Sequence, residues 1–197
     1  AGVIQLANTG KFLGYFTSNK SKLTPQQMFL KLIYTKEQEK KSELLNTLPS
    51  TFSNVFVDTN GTAYSTCMGI GDDLLKKHST NGTNMLGNVK TSSALTDVTA
   101  NKDGIIYASD SHGMIWVYTS QGEVIFQLGA EAADKDISGL FTSLTTIAVD
   151  NSGNIWTADG EKGYLQSFTP TEYATTIFKA LKEYENGDYK EALTDWN

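Results

Sequence analysis

Ser109-Asp110-Ser111-His112 sets a nucleophile, an acid and a base in consecutive positions, the residue types of hydrolytic catalysis. A triad needs these groups to converge from different elements, and neighbours in one turn point apart. Asp110, like Asp159, is therefore expected to accept hydrogen bonds from the amides of its own turn. Asp150, Ser152, Asn154 and Glu161 mimic the spacing of a calcium loop, but Ile155 stands at the sixth position, where the sharp turn requires Gly. That stretch reads as turn plus strand. His78 and His112 do not by themselves make a catalytic zinc site, which usually takes three protein ligands. Cys67 is the single cysteine, and Tyr64 to Met68 read as a strand, so it is expected to be a small buried hydrophobe. Tyr107, Trp116 and Trp156 offer flat faces for a sugar, although aromatics on such strands are expected to fill the space between sheets. No Gly-rich phosphate loop lies between a strand and a helix. No catalytic or metal residue is assigned, and no cofactor is expected.

The elements that carry these residues are short. From Leu95 to Leu128 four runs rich in Ile, Val, Tyr and Trp are separated by turns ending in Gly104, Gly113 and Gly122, which predicts one four-stranded antiparallel sheet. Its first turn recurs, so that Gly61, Gly104 and Gly153 follow one another at 43 and 49 residues. Its outer turn recurs at Gly10, Gly82 and Gly122. Self-similarity at about 40–50 residues with four strands per copy is the mark of a β-propeller, in which no blade buries both faces alone and stacking supplies the core. The fold class is all-β, a partial β-propeller of about three and a half blades. It starts in mid-blade with Val3 to Leu6 and Phe12 to Phe16.

Two departures interrupt the repeats. Residues 20–50 change to helical spacing: Thr24-Pro25 starts one helix carrying Met28, Phe29, Leu32 and Ile33, and Thr35 to Gln38 can form a capping box for a second with Leu44, Leu45 and Leu48 before Pro49. This pair is expected to be a lid packed on the blade edges, with a partner-binding arm as the other reading. The next blade is expected to place strands near Asn54 to Val57, Thr62 to Cys67, Leu74 to His78 and Asn84 to Leu86, and 130–139 to be a connector. The last blade has three strands, after which Thr169-Pro170-Thr171-Glu172 begins a helix with Tyr173, Ile177, Ala180, Leu181 and Tyr184 on one face. Gly187-Asp188 breaks it before a second helix. The predicted units are 1–169, the propeller, and 170–197, a helical hairpin.

The net charge is −6, and every one of the sixteen basic residues is Lys. An acidic chain without a guanidinium lacks the usual tool for phosphate and guanine, so nucleic acid is not an expected partner. No run approaches the ~20 apolar residues of a membrane-spanning helix. No signal peptide is visible, the chain lacks an initiator Met, and its N-terminus is read as a cut end.

Thr146 to Phe168 and Asp97 to Tyr118 resemble NHL repeats: an apolar strand, Asp-x-x-Gly or its like, and a second strand closed by Asp159 or Asp110. In the following turn the family usually has Asn and Arg where this chain has His112-Gly113-Met114 and Lys162-Gly163-Tyr164. The string Tyr184, Gly187, Asp188, Tyr189, Ala192, Trp196 resembles the middle of a tetratricopeptide repeat. Together the parts resemble a family of Gram-positive bacterial proteins in which a propeller precedes tetratricopeptide-like helices and a membrane domain. That resemblance implies a propeller of about six blades at the cell surface, membrane-tethered through segments outside this chain, with no known reaction. The expected function is non-catalytic recognition or scaffolding of a protein or glycan; the alternative is a calcium-dependent lactonase or lyase of propeller type. Open blade faces also predict self-association of this chain.

Overall fold

Runs of five or so β-branched and aromatic residues, each closed by a Gly-containing turn, fold back on themselves as hairpins, and the computed structural model of the chain is assembled from these. It describes residues 2–19, 25–42, 49–69, 73–132 and 134–196, the side chains at 39 and 40 excepted. β1 (Gly2–Leu6) and β2 (Phe12–Ser18) pair alone. After the helices α1 (Pro25–Ile33) and α2 (Lys36–Lys41) comes a three-stranded sheet of β3 (Thr51–Val57), β4 (Ala63–Met68) and β5 (Leu75–His78). The central sheet has four strands in sequence order, β6 (Leu95–Ala100), β7 (Ile106–Asp110), β8 (Ile115–Tyr118) and β9 (Val124–Leu128). The short β10 (Ala130–Glu131) and β11 (Leu140–Phe141) lead to the last sheet, β12 (Leu144–Val149), β13 (Ile155–Asp159) and β14 (Tyr164–Phe168). Helices α3 (Glu172–Asn186) and α4 (Tyr189–Trp196) follow.

One hairpin turn is used repeatedly. In the turns ending in Gly10, Gly61, Gly82, Gly104, Gly113, Gly122 and Gly153, the glycine N–H donates to the carbonyl three residues back and a second bond closes the five-residue loop. This is the three-residue hairpin with a bulge, which needs a left-handed residue at the glycine. Where the turn opens with Asp58, Asn101, Asp110 or Asp150, the side-chain Oδ1 accepts from the amides two and four residues on, at 2.8 to 3.1 Å. The turn is thus fixed from within, and the expectation for Asp110 holds.

The architecture is propeller-like. First strands β3, β6 and β12 pack side by side, and the sheets behind them stack face to face. Alternation sends Val98, Ala100, Ile106, Ala108 and Tyr118 of the central sheet into one core with Tyr64, Leu75 and Leu95, and Tyr107, Ile115 and Val117 into another with Phe141, Leu144, Ile147 and Ile155. Each buried Val, Leu, Ile or Phe among them contributes about 1.5–3 kcal/mol. At the inner strands the same polar position recurs: Asn54, Asp97 and Thr146 are separated by the 43 and 49 residues of the repeat. Asp97, 5% exposed, bridges them. Its Oδ1 accepts from Asn54 Nδ2 (2.5 Å) and Val98 N (2.7 Å). Its Oδ2 accepts from Ile147 N (2.9 Å) and Thr146 Oγ1.

Three expectations need correction. Asn84 to Leu86 is no strand: only a single bridge joins Asn84 to His78, because the Asn84 side chain accepts from the amides of Lys77 and Leu86 and so bends the chain away from the ladder. Residues 130–139 are not a plain connector, since β10 pairs in parallel with β11. The helical insertion is not a packed lid among the described residues. α1 buries no side chain, and Phe29 and Leu32 are 64% and 85% exposed. The Thr35–Gln38 capping box forms as expected, whereas Thr24, Leu44, Leu45 and Leu48 lie outside the described residues. Helix α3 is capped by Thr171, whose side chain accepts from Ala174 N, and stopped by left-handed Gly187. Its Phe178 and Leu181 join the second core.

Candidate functional site

Because the three larger sheets repeat, their equivalent first turns gather at one end of the stack. Asp58-Thr59, Asn101-Lys102-Asp103 and Asp150 to Gly153 line a cleft of about 510 Å³, and Thr175, Phe178, Lys179 and Lys182 of α3 form its remaining wall. Phe56, Val57, Ala100, Tyr107 and Val149 supply apolar surface beneath the polar rim. A smaller apolar cavity of about 150 Å³ adjoins it, sharing Tyr107 and Phe178 and lined further by Phe126, Leu128, Ile155 and Phe168.

The helix is anchored by charge. Lys182 Nζ lies 2.5 Å from Asp103 Oδ1, and Ser120 Oγ donates to Glu185 at 2.6 Å. Lys179 reaches Asp195 of α4 at 2.9 Å, the contact that does most to raise its pKa. Tyr107 is pushed up to about 12, first by burial and then by Asp103. Asp150 is held at about 2, first by the indole N–H of Trp156 and next by the Asn154 side chain. Since its folded-state pKa lies below the ordinary ~3.9, this stabilisation is complete above about pH 5 and is lost as pH falls toward 2. Asp150→Asn should therefore flatten the acid limb of a melting-temperature profile over that window. An unchanged limb would contradict this assignment.

The residues with reactive side chains do not converge here. Asp110 lies at the β7–β8 turn, the opposite end of its sheet from the cleft. Ser109 is sealed and paired with Thr96 at 2.8 Å, and the exposed His112 only lends its amide to Asp110. Asp159 also behaves as expected: its carboxylate takes the amides of Glu161, Lys162 and Thr142. Burial, which would raise its pKa, is outweighed by those of Lys162, Thr142 and Ser143, and the carboxyl is held low. Both oxygens of Asp150 are taken by its own turn, Asn154 and Trp156, the arrangement of a turn leading into a strand. Among the described residues, no three His, Cys, Asp or Glu side chains come together as a metal site. Cys67 is fully buried, as expected, with its thiol pushed up by burial. Trp116 stacks on Tyr118 within one core, while Tyr107 faces the other core. The aromatics therefore form no joint platform. Trp156 is 45% exposed, on the outer face of the last sheet.

Sequence reasoning missed one pair. Ser65 Oγ sits 2.8 Å from His78 Nε2, and His78 Nδ1 lies 3.2 Å from the Gly82 carbonyl. The carbonyl only accepts, which assigns the proton to Nδ1 and leaves Nε2 to accept from the serine. This is the order of a nucleophile and its base. Ser65 and His78 are 0% and 3% exposed, Phe16 lies on the imidazole at 5.5 Å, and burial lowers its pKa. The pair is a satisfied core contact.

No family model matches the chain, and neither does any curated protein. Among solved structures it is similar to the computationally designed Ika4 protein, at 14% identity and TM-score 0.46 over 64% of this chain and 70% of that one. It is also similar to a streptogramin B lyase, at 13% identity and TM-score 0.49 over 87% and 48%. A third is a protein described as the extracellular domain of a hybrid two component system, BT3049, from B. thetaiotaomicron (14%, 0.46, 86% and 21%). The chain spans less than half the length of the last two. Likeness at this level carries no argument about ligand or activity. No helix among the described residues is long and apolar enough to cross a membrane.

Proposed function

We propose that this chain is a non-catalytic recognition module that holds a glycan or protein segment in the cleft between its repeated turns and α3. The observation that carries the reading is the cleft itself: three turns locked by their own side chains present Asn101, Lys102, Asn151 and Ser152 around an apolar floor, and among the described residues no nucleophile–base pair opens onto it. Its volume lies in the range of small-ligand sites, which favours a short glycan over a broad protein surface. The reading extends to an NHL-like propeller of about six blades, with α3 and α4 as a tetratricopeptide-like continuation and the whole held at a Gram-positive cell surface. The 43 and 49 residue intervals and the buried Ala180 and Ala192 support that extension.

A glycan array and a pull-down from surface extracts test it. Lys102→Glu with Asn151→Ala, both in exposed turns, should abolish capture while leaving the melting temperature within a degree or two, since such surface changes usually stay inside ~0.5 kcal/mol. Binding that survives the double change would move the site elsewhere, and blank screens in both formats would count against recognition.

A further inference from the structure

A polar atom of an aromatic ring is costly to take out of water unless it holds a hydrogen bond, and one position of the repeat makes that bond regularly. Six residues after the acid that locks a turn stands an aromatic whose polar atom donates back to that acid. Tyr64 Oη reaches Asp58 Oδ2 at 3.4 Å, Trp116 Nε1 reaches Asp110 Oδ2 at 3.1 Å and Trp156 Nε1 reaches Asp150 Oδ2 at 3.0 Å. Tyr107 holds the same place after Asn101, 43 residues beyond Tyr64 and 49 before Trp156. There the bond does not form. The Asn101 oxygen already accepts from the amides of Asp103 and Ile105, at 3.0 Å each, so the atom left over is the NH2, a donor where the other turns offer an acceptor.

Tyr107 is 1% exposed, yet among the described residues no group bonds its hydroxyl. Tyr107, Asn101 and Asp103 all line the cleft, and they belong to the central sheet, whose two faces are both covered. Burial first, and then the field of Asp103, raise the phenol to about 12, so it keeps its proton to donate. Asp103 is held by Lys182 through Oδ1, and its Oδ2 has no partner among the described residues. Two unused donors and one unused acceptor therefore meet at one end of the cleft.

We propose that these three residues take one hydroxyl of a neutral sugar, which accepts from the Tyr107 phenol and donates to Asp103 Oδ2, while the Asn101 amide donates to a neighbouring oxygen of the same ring. A hydroxyl suits the site because it donates and accepts at once. A carboxylate only accepts, and it would set a like charge against Asp103. The proposal rests on the recognition reading above and narrows its ligand from a glycan or protein segment to a neutral glycan.

A glycan array carrying neutral and uronic-acid oligosaccharides, followed by titration of the neutral one captured best into the full chain, tests this with two variants. Tyr107→Phe keeps the ring and breaks no bond within the protein, so the melting temperature should hold while the affinity falls about tenfold. Asn101→Asp restores the acceptor that the other turns carry. Tyr107 should then bond within its own sheet, which raises the melting temperature and again lowers the affinity about tenfold. A lowered melting temperature in Tyr107→Phe, unchanged affinity in either variant, or capture of uronic-acid glycans in place of neutral ones overturns the proposal and leaves the cleft as a recognition site. Capture of a protein and no glycan does the same. Blank screens in both formats overturn the proposal together with the reading it rests on.

Discussion

Asp97→Ala is expected to cost about 3 kcal/mol or more in urea unfolding, well beyond the loss for either of its partners. The carboxylate is 5% exposed and bonds to all three inner strands. Hydrogen bonds to a charged acceptor contribute about 1.5–3 kcal/mol each, and a buried donor left without a partner costs about 1–3 kcal/mol. Truncation would strand the amides of Val98 and Ile147, both in residues that are nearly sealed. Asn54→Ala removes one donor to Asp97 and, at a more exposed edge, the acceptor of the Val55 amide, and should cost about 1 kcal/mol. Because Asn54 and Asp97 touch, their double-mutant cycle should show a coupling of about 1 kcal/mol. Additive losses would mean that the two sheets do not meet at this carboxylate.

Gly82→Ala and Gly10→Ala form the second test, since the two glycines have the same φ of +80° and opposite surroundings. A Cβ on Gly10 meets nothing within 4 Å, whereas one on Gly82 would sit 1.9 Å from the Phe16 carbonyl oxygen. Gly10→Ala should therefore show only the left-handed penalty of about 1–2 kcal/mol. Gly82→Ala adds a backbone clash that no side-chain movement relieves, and it should expel β2 from its seat on the His78 ring. A loss of ~3 kcal/mol or more is expected, with Phe16 and the His78–Ser65 pair opened to solvent. Equal melting temperatures for the two variants would place the hairpin elsewhere.

The repeats were legible because each sheet is marked by its own turn chemistry: Asp58, Asn101 and Asp150 lock the first turn, and glycine three residues later completes it. Strand limits followed within a residue or two wherever such turns bounded both ends. The reading failed where pairing depends on a side chain reaching back, as Asn84 does onto Lys77 N, or on a two-residue parallel bridge such as β10 with β11. The insertion was legible as helix but not as an unpacked one, since helical spacing says which side is apolar and nothing of what covers it. Asp97 carried a signal that went unused: the 43 and 49 residue intervals already placed it in line with Asn54 and Thr146. The cleft left no mark of its own, because its residues come from three turns far apart in the chain. The sealed Ser65–His78 pair needs the register of β4 on β5, which neither strand reveals alone.

The claim that separate sheets lean on one another about a shared axis is tested most directly by amide exchange at Ile147 in the native chain. β12 is the inner edge of its sheet, and this N–H points away from β13 to the Asp97 carboxylate of the neighbouring sheet. Exchange as slow as that of the β7 amides, lost in Asp97→Asn, is the predicted result. An Ile147 amide that exchanges as fast as any exposed edge would contradict it.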